Sequence, residues 1–384
     1  MLKRHTTHFI TALCLLAGLT SLPAATSTEE NFSEVDRYLE KGGPVYAFID
    51  IEGDLDNLAG KGSELLQAVK GLDPEMAKIP DLPFRLIMEQ TGFTAIKAIG
   101  ISSTRQEAGF QNRTFLLTDG GLPGLLGFYG TDNTPFHLPD MAPMGTDLAV
   151  EYSMDSETLV EFARQVAASL MGENGPQMVD MYLDQPLGQI PFTAREVLGY
   201  FNGRIDMIAE IDPARTIDLP KLGGFPRVDF LMRFGSAGQL AAKLGELLGQ
   251  AGLPELQVGT EGSVTTLSGL VPSQYGYDIS IRGDTSSGEL LVYSSETFRT
   301  ACMAGSGDKL ADSPEFLQAT AGLPGEGLSL SFVSPEINLL MAKYFELVIK
   351  TGSAEQAEAM RTYMEWLTER LQWDTAVASV MRAE

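Results

Sequence analysis

Reactive side chains are scarce in this chain. Its 384 residues include two cysteines, three histidines and two tryptophans. Cys14, His5 and His8 fall within residues 1–25, which read as a secretory signal peptide. Lys3 and Arg4 give a positive start, Phe9 to Leu19 form an apolar run too short to span a bilayer, and Leu22-Pro23-Ala24-Ala25 is a small-residue exit. Cys14 follows Leu13, which speaks against lipid anchoring. Removal of the signal leaves one cysteine, Cys302, and one histidine, His137. Internal disulfides are then excluded, so apolar burial must hold the exported chain, and roughly 360 residues can supply it as two domains. No later stretch reaches the roughly 18 uninterrupted apolar residues of a membrane span. The expected location is periplasmic or extracellular, with no transmembrane segment after signal removal.

The same scarcity excludes most familiar chemistries. Catalysis through a Ser-His-Asp or Cys-His arrangement could run only through His137, in the proline-flanked Thr134-Pro135-Phe136-His137-Leu138-Pro139, and no Gly-x-Ser-x-Gly elbow accompanies it. A histidine-rich zinc site is excluded by count. Ser306-Gly307-Asp308-Lys309 and Lys350-Thr351-Gly352 match two short patterns of penicillin-recognising enzymes, but the serine lies in a glycine-flanked loop and the triplet ends a helix. Gly60-Lys61 lacks the earlier glycine of a phosphate loop, because Leu55 stands there. Asp50, Glu52, Asp54 and Asp56 resemble the start of a calcium loop, yet Leu55 replaces the turn glycine and Lys61 the closing acid. Both tryptophans, Trp366 and Trp373, lie near the C-terminus, so the aromatic platform of a sugar site is missing. Cys302 reads as a core residue. No catalytic, cofactor-binding or metal-ligating residue emerges, and no cofactor is implied.

Positive charge is the other shortage. There are 27 basic residues against 51 acidic ones, a net charge of −24. Such a surface repels nucleic acid and anionic headgroups, which leaves apolar or cationic partners.

What the chain does have is a repeated phrase: alternating apolar residues, a polar corner, then helical spacing. It occurs at Val45-Ala47-Ile49-Ile51 with Asp54 as cap and a helix through Leu65-Leu66, and at Leu148-Val150-Tyr152 before Ser153 to Ser156. It recurs at Val228-Phe230-Met232-Phe234 capped by Ser236, and at Leu328-Leu330-Phe332 capped by Ser334. Val45 to Val228 is 183 residues and Leu148 to Leu328 is 180, while strand 205–211 has a counterpart at 376–381. These offsets predict two tandem repeats of one design. Further short β-rich runs lie between the phrases: 95–103, 113–118, 125–129, 264–267, 277–282 and 290–293. The expected fold class is α+β, each repeat a mostly antiparallel sheet with helices packed on one face. The expected domains are a polar lead-in at 26–44, a first lobe at 45–212, a proline- and glycine-rich linker at 213–227 and a second lobe at 228–384. A last helix, Ser353 to Leu371, carries a stripe of Met360, Met364, Leu367 and Leu371 beside Tyr363 and Trp366, which reads as core packing.

Ala142-Pro143, Leu323-Pro324-Gly325 and Leu310-Ala311-Asp312-Ser313-Pro314-Glu315-Phe316 resemble segments of a loose group of exported bacterial proteins, described only as domains of unknown function. The resemblance implies two tandem α+β lobes, extracytoplasmic placement and no assigned activity, and it carries over no site residue. The leading expectation is a non-enzymatic extracytoplasmic binding or scaffold protein, for an apolar ligand or an envelope protein partner. The alternative is a carboxylate-dependent, cation-assisted hydrolase, with Asp50, Glu52, Asp54 and Asp56 as first suspects.

Overall fold

The computed structural model describes residues 27–337 apart from 73–83, 107–108, 123, 189–191, 220–222, 251–254 and 272–276, then 375–383 and scattered positions between 340 and 363. The fold is α+β, and the strands of both larger sheets pair antiparallel. Among the described residues no helix is long and apolar enough to cross a membrane. The signal segment, Lys350-Thr351-Gly352, and Met364, Trp366, Leu367, Leu371 and Trp373 lie outside the described residues.

The chain divides into two compact units, but not at the expected boundary. One runs to Leu58 and resumes for Thr94–Asp119; the other takes Ala59–Phe93 and everything from Gly120. The smaller unit contains helix α1 (Ser27–Asp36) and strands β1 (Val45–Asp50), β2 (Ile96–Gln106) and β3 (Gly109–Thr118), ordered β1-β2-β3. Helix α2 (Asp54–Leu72) follows β1, with Asp54 and Asp56 opposing the positive pole of its first turn. Glu29 and Glu30 do the same for α1.

The packing of α1 on the sheet is written in small residues. Ala98, Gly100 and Ser102 are the buried face of β2. A Cβ on Gly100 would lie 2.3 Å from Val35 Cγ1 and 2.8 Å from Leu39 Cδ1, so only glycine lets the helix approach this closely. Phe48, Phe115 and Leu117 complete this core around Val35, Leu39 and Ala98. Tyr38 stacks on Phe115 at 4.1 Å, and Phe32 meets Phe48 edge-on at 5.2 Å.

The larger unit opens with helix α3 (Phe84–Thr91), then a 3-10 turn at Gly124–Tyr129 where a β-run was expected. Gly124 sits at φ 57°, and a Cβ there would strike the Gln90 carbonyl oxygen at 2.0 Å. Next come β4 (Thr134–Pro135), α4 (Leu138–Met141), β5 (Leu148–Met154), α5 (Ser156–Met171), α6 (Asn174–Leu183) and α7 (Ala194–Tyr200). Then follow β6 (Gly203–Leu219), β7 (Gly223–Phe234), α8 (Leu240–Gln250), β8 (Gln257–Glu261), β9 (Val264–Ser268), β10 (Ser280–Asp284) and β11 (Leu290–Tyr293). The unit closes with α9 (Glu296–Met303), α10 (Pro314–Ala319), β12 (Glu326–Gly327), β13 (Ser329–Val333) and β14 (Val377–Met381). Nine strands form one sheet, ordered β14-β13-β5-β6-β7-β11-β10-β9-β8, while β4 and β12 pair separately.

This order corrects the two-lobe expectation. Strands assigned to different lobes are direct neighbours: Ala149 pairs with Phe332, and Ile208 with Leu231. The expected linker, 213–227, lies in the β6–β7 hairpin, where Thr216 pairs with Pro226 and Ile217 with Phe225. Its prolines and glycines mark a bulge between Asp212 and Thr216 and a hairpin end, not a joint between bodies.

In the three-stranded sheet the helical core lies on one face, as expected; in the nine-stranded sheet both faces are packed. On one side Ala149, Ile208, Leu231, Leu291, Leu330 and Phe332 meet Leu138, Phe298, Cys302, Leu310 and Phe316. On the other, Ile205, Phe234, Leu290 and Val292 meet Ala237, Leu240, Ala241 and Tyr200.

Candidate functional site: the apolar face of the three-stranded sheet

Successive side chains of a strand point to opposite faces, so the register decides what each face of the small sheet displays. On the α1 face stand Tyr46, Phe48 and Asp50. The Tyr46 hydroxyl bonds Asp36, and Asn31 of α1 donates to Asp50 Oδ1 at 3.4 Å and to Glu52 Oε2 at 2.9 Å. The other face carries Val45, Ala47 and Ile49. Ile49 pairs with Ile99 and Ile99 with Leu116, while Ala47 pairs with Ile101 and Ile101 with Thr114. Two apolar rows therefore lie side by side across the strands.

The alternating row Val45, Ala47 and Ile49 is not the side that packs on α1. Instead Val45 is 45 %, Ile49 48 % and Leu116 41 % exposed. Phe110, on the same face beside Arg105, is 52 % exposed. Among the described residues no core cluster forms on this side. Covering Val45, Ile49 and Leu116 would remove on the order of 200 Å² of apolar surface from water, worth roughly 5 kcal/mol before the costs of association.

The other expected candidates resolve into structural parts. Asp50 and Glu52 converge on Asn31, whereas Asp54 and Asp56 open α2, so the four acids divide between two tasks. Among the described residues no three of His, Cys, Asp and Glu group as metal ligands. His137 precedes α4 and supplies its backbone N–H to Glu151. Cys302 is buried in the core, where desolvation pushes its thiol up to about 12. Lys309 of the Ser-x-x-Lys pattern donates to the carbonyls of Met141 and Ala301, at 3.1 and 3.2 Å.

In the larger unit the sequence reading missed a row of buried charge. Glu151, Asp206 and Arg233 occupy neighbouring register positions on β5, β6 and β7. Glu151, 2 % exposed, accepts from the N–H groups of His137 and Leu138 at 3.0 and 2.7 Å, so a strand carboxylate caps α4, and it pairs with Arg204. Asp206, fully buried, accepts from Arg233 Nε at 2.6 Å, and its Oδ1 has no hydrogen bond among the described residues. Burial raises both carboxyls above their usual range and outweighs the arginines. Asp147, raised for the same reason, ties three strands together by accepting from Ile211 N–H and the Ser334 hydroxyl, each at 2.6 Å. Only acids and arginines two to four positions apart on adjacent strands could have signalled this row, and pairing was not legible.

A groove of about 660 Å³ in the same unit is lined by Glu89, Asp155, Glu157 and Glu161 over Leu122 and Phe162. Arg164 answers Glu157 and Glu161, Arg85 answers Glu89, and Asp155 caps α5 through the Glu157 N–H. These carboxylates serve the helices that carry them.

No family model, no curated protein and no solved structure matches this chain.

Proposed function

We propose that this protein is a non-enzymatic extracytoplasmic binding or scaffold protein whose three-stranded unit presents an apolar surface to an envelope protein partner. The reading is carried by Ile49 and Leu116, which flank Ile99, and by Val45, which pairs with Ser103; all three stay roughly half in water, while the opposite face of their sheet is packed. Contiguous exposed apolar surface of this kind marks interaction sites. The exposed residues stand on the face of a three-stranded sheet, whereas a small ligand needs a pocket that buries most of its surface. Those two facts favour a protein partner over an apolar ligand. Extracytoplasmic placement rests on the composition of the first 25 residues.

The test is Nile red fluorescence with the native mature protein. Dye binding is expected, and the double variant Ile49→Thr, Leu116→Thr should lose most of it while circular dichroism and Tm stay unchanged. Threonine keeps the β-branched preference for a strand at these positions. Absence of dye binding by the native protein, or equal binding by the variant, would remove the reading.

A further inference from the structure

We infer that Glu151 and Asp206 share one proton, carried on Asp206 Oδ1 and donated to the Glu151 carboxylate, and that its loss as pH rises loosens residues 135–138. This pH-sensitive latch lies wholly within the larger unit and does not depend on the binding role proposed above. Register comes first. Glu151 of β5 and Asp206 of β6 are direct cross-strand partners, on the packed face that also carries Ala149 and Ile208. Side chains so placed have Cβ atoms about 5 Å apart, close enough for two carboxyl groups to meet and for two like charges to repel.

Hydrogen-bond donors are divided unequally between the two acids. Glu151 accepts from the backbone N–H groups of His137 and Leu138 and pairs with Arg204. Asp206 accepts from Arg233 Nε through Oδ2, at 2.6 Å, and its Oδ1 has no hydrogen bond among the described residues. The Asp206 side chain is sealed from water, whereas those of Arg204 and Arg233 are 26 % and 22 % exposed. An ionised Asp206 would therefore hold a bare charged oxygen in the interior, facing a second carboxylate. A proton on Oδ1 removes that charge and finds an acceptor in Glu151, the acid that the donors hold in its ionised form. Burial raises both carboxyls, and the charge of Asp206 adds to the effect on Glu151. Among the described residues, the other charged or titratable groups facing the pair are Arg204 on β6, Arg233 on β7 and His137 before α4. Glu289, just before β11, stands 3.8 Å from Arg233.

The row grips the backbone of 135–138 at three points. Glu151 takes the two N–H groups, and Arg204 donates to the Pro135 carbonyl at 3.1 Å. Once ionised, Asp206 repels Glu151 and attracts Arg204, so one deprotonation weakens all three. The grip is firm in acid and is lost as pH rises through the titration of Asp206.

The test uses the full mature protein. Carbon-13 NMR of Asp206 Cγ, assigned through the backbone, gives the pH at which this acid ionises. Hydrogen exchange read by mass spectrometry, corrected for the intrinsic pH dependence of exchange, gives the protection of peptide 134–141. That protection should fall about tenfold or more across the Asp206 titration, while a peptide spanning β10 and β11 keeps its own. Asp206→Asn places an amide N–H where the neutral acid has its hydroxyl, so its peptide 134–141 should stay protected at every pH. His137→Gln should respond like the native protein. An Asp206 that ionises in the usual carboxylate range, ~4, or that keeps one form while the protein stays folded, overturns the inference. So does protection that stays flat across the titration, or a fall that persists in Asp206→Asn or vanishes in His137→Gln. Should Asp206→Asn fail to fold, the native titration and His137→Gln decide.

Discussion

Glu151 occupies a position that alternation with Leu148, Val150 and Tyr152 assigns to solvent, yet it is among the most deeply buried side chains of the larger unit. Its carboxylate replaces the missing intrahelical partners at the start of α4 and neutralises Arg204. Glu151→Ala should therefore destabilise the protein by about 3 kcal/mol in urea titration, and Glu151→Gln, which keeps an acceptor for the two N–H groups, by clearly less. Glu151, Asp206, Asp147 and Glu210 share a raised carboxyl caused first by burial. A folded-state value above the unfolded one means that the native state holds protons more tightly, so this contribution is full below the usual carboxylate range, ~4, and is lost as pH rises through the raised values. Asp180, Asp212 and Glu196 are lowered by their cationic partners, and their contribution is lost only as pH falls below that range. Tm should accordingly fall as pH rises from the usual carboxylate range, ~4, through the raised values of Glu151, Asp206, Asp147 and Glu210; a profile that only rises over that change would contradict the assignment. Cys302, buried and with its thiol pushed up to about 12, should resist maleimide in the native state and react fully in denaturant.

At the scale of elements, strand positions were largely legible and their faces were not. The strands β9, β10, β11, β13 and β14 fall on or beside the expected runs, because β-rich composition bounded by turn residues marks where a strand lies. In β1, however, Val45-Tyr46-Ala47-Phe48-Ile49 is apolar on both parities, so alternation could not say which side α1 takes. The answer lies in β2, where Ala98, Gly100 and Ser102 clear the space for a helix and Ile99 and Ile101 are left on the other side. Gly100→Ala should consequently lower stability by about 1–3 kcal/mol through overpacking against Val35 and Leu39, measured by chemical denaturation. Leu125–Tyr129 has strand-like composition, but Gly124 and Gly127 pass so close to backbone oxygens that a 3-10 turn forms instead.

At the scale of the whole molecule, strands from both expected lobes interleave in one nine-stranded sheet, with β5 lying between β13 and β6. A fragment of residues 228–384 should therefore fail to fold, because β13 loses its pairing with β5 and β7 loses β6; a dispersed amide NMR spectrum from that fragment would contradict this. The recurring strand–helix phrase holds locally at β1–α2, β5–α5 and β7–α8 but is an unsafe guide to partition, since offsets along the chain do not say which strands share hydrogen bonds. By itself the sequence determined the α+β class, most strand positions, the acidity and the poverty in cysteine and histidine, all of which follow from composition and short-range periodicity. Tertiary structure alone decided which strands pair, that Glu151 and Asp206 are buried, and that Val45, Ile49 and Leu116 are among the apolar residues left in water. The reason is that burial depends on which distant segment arrives to cover a face, and period-2 alternation describes both faces of a strand without naming the covered one.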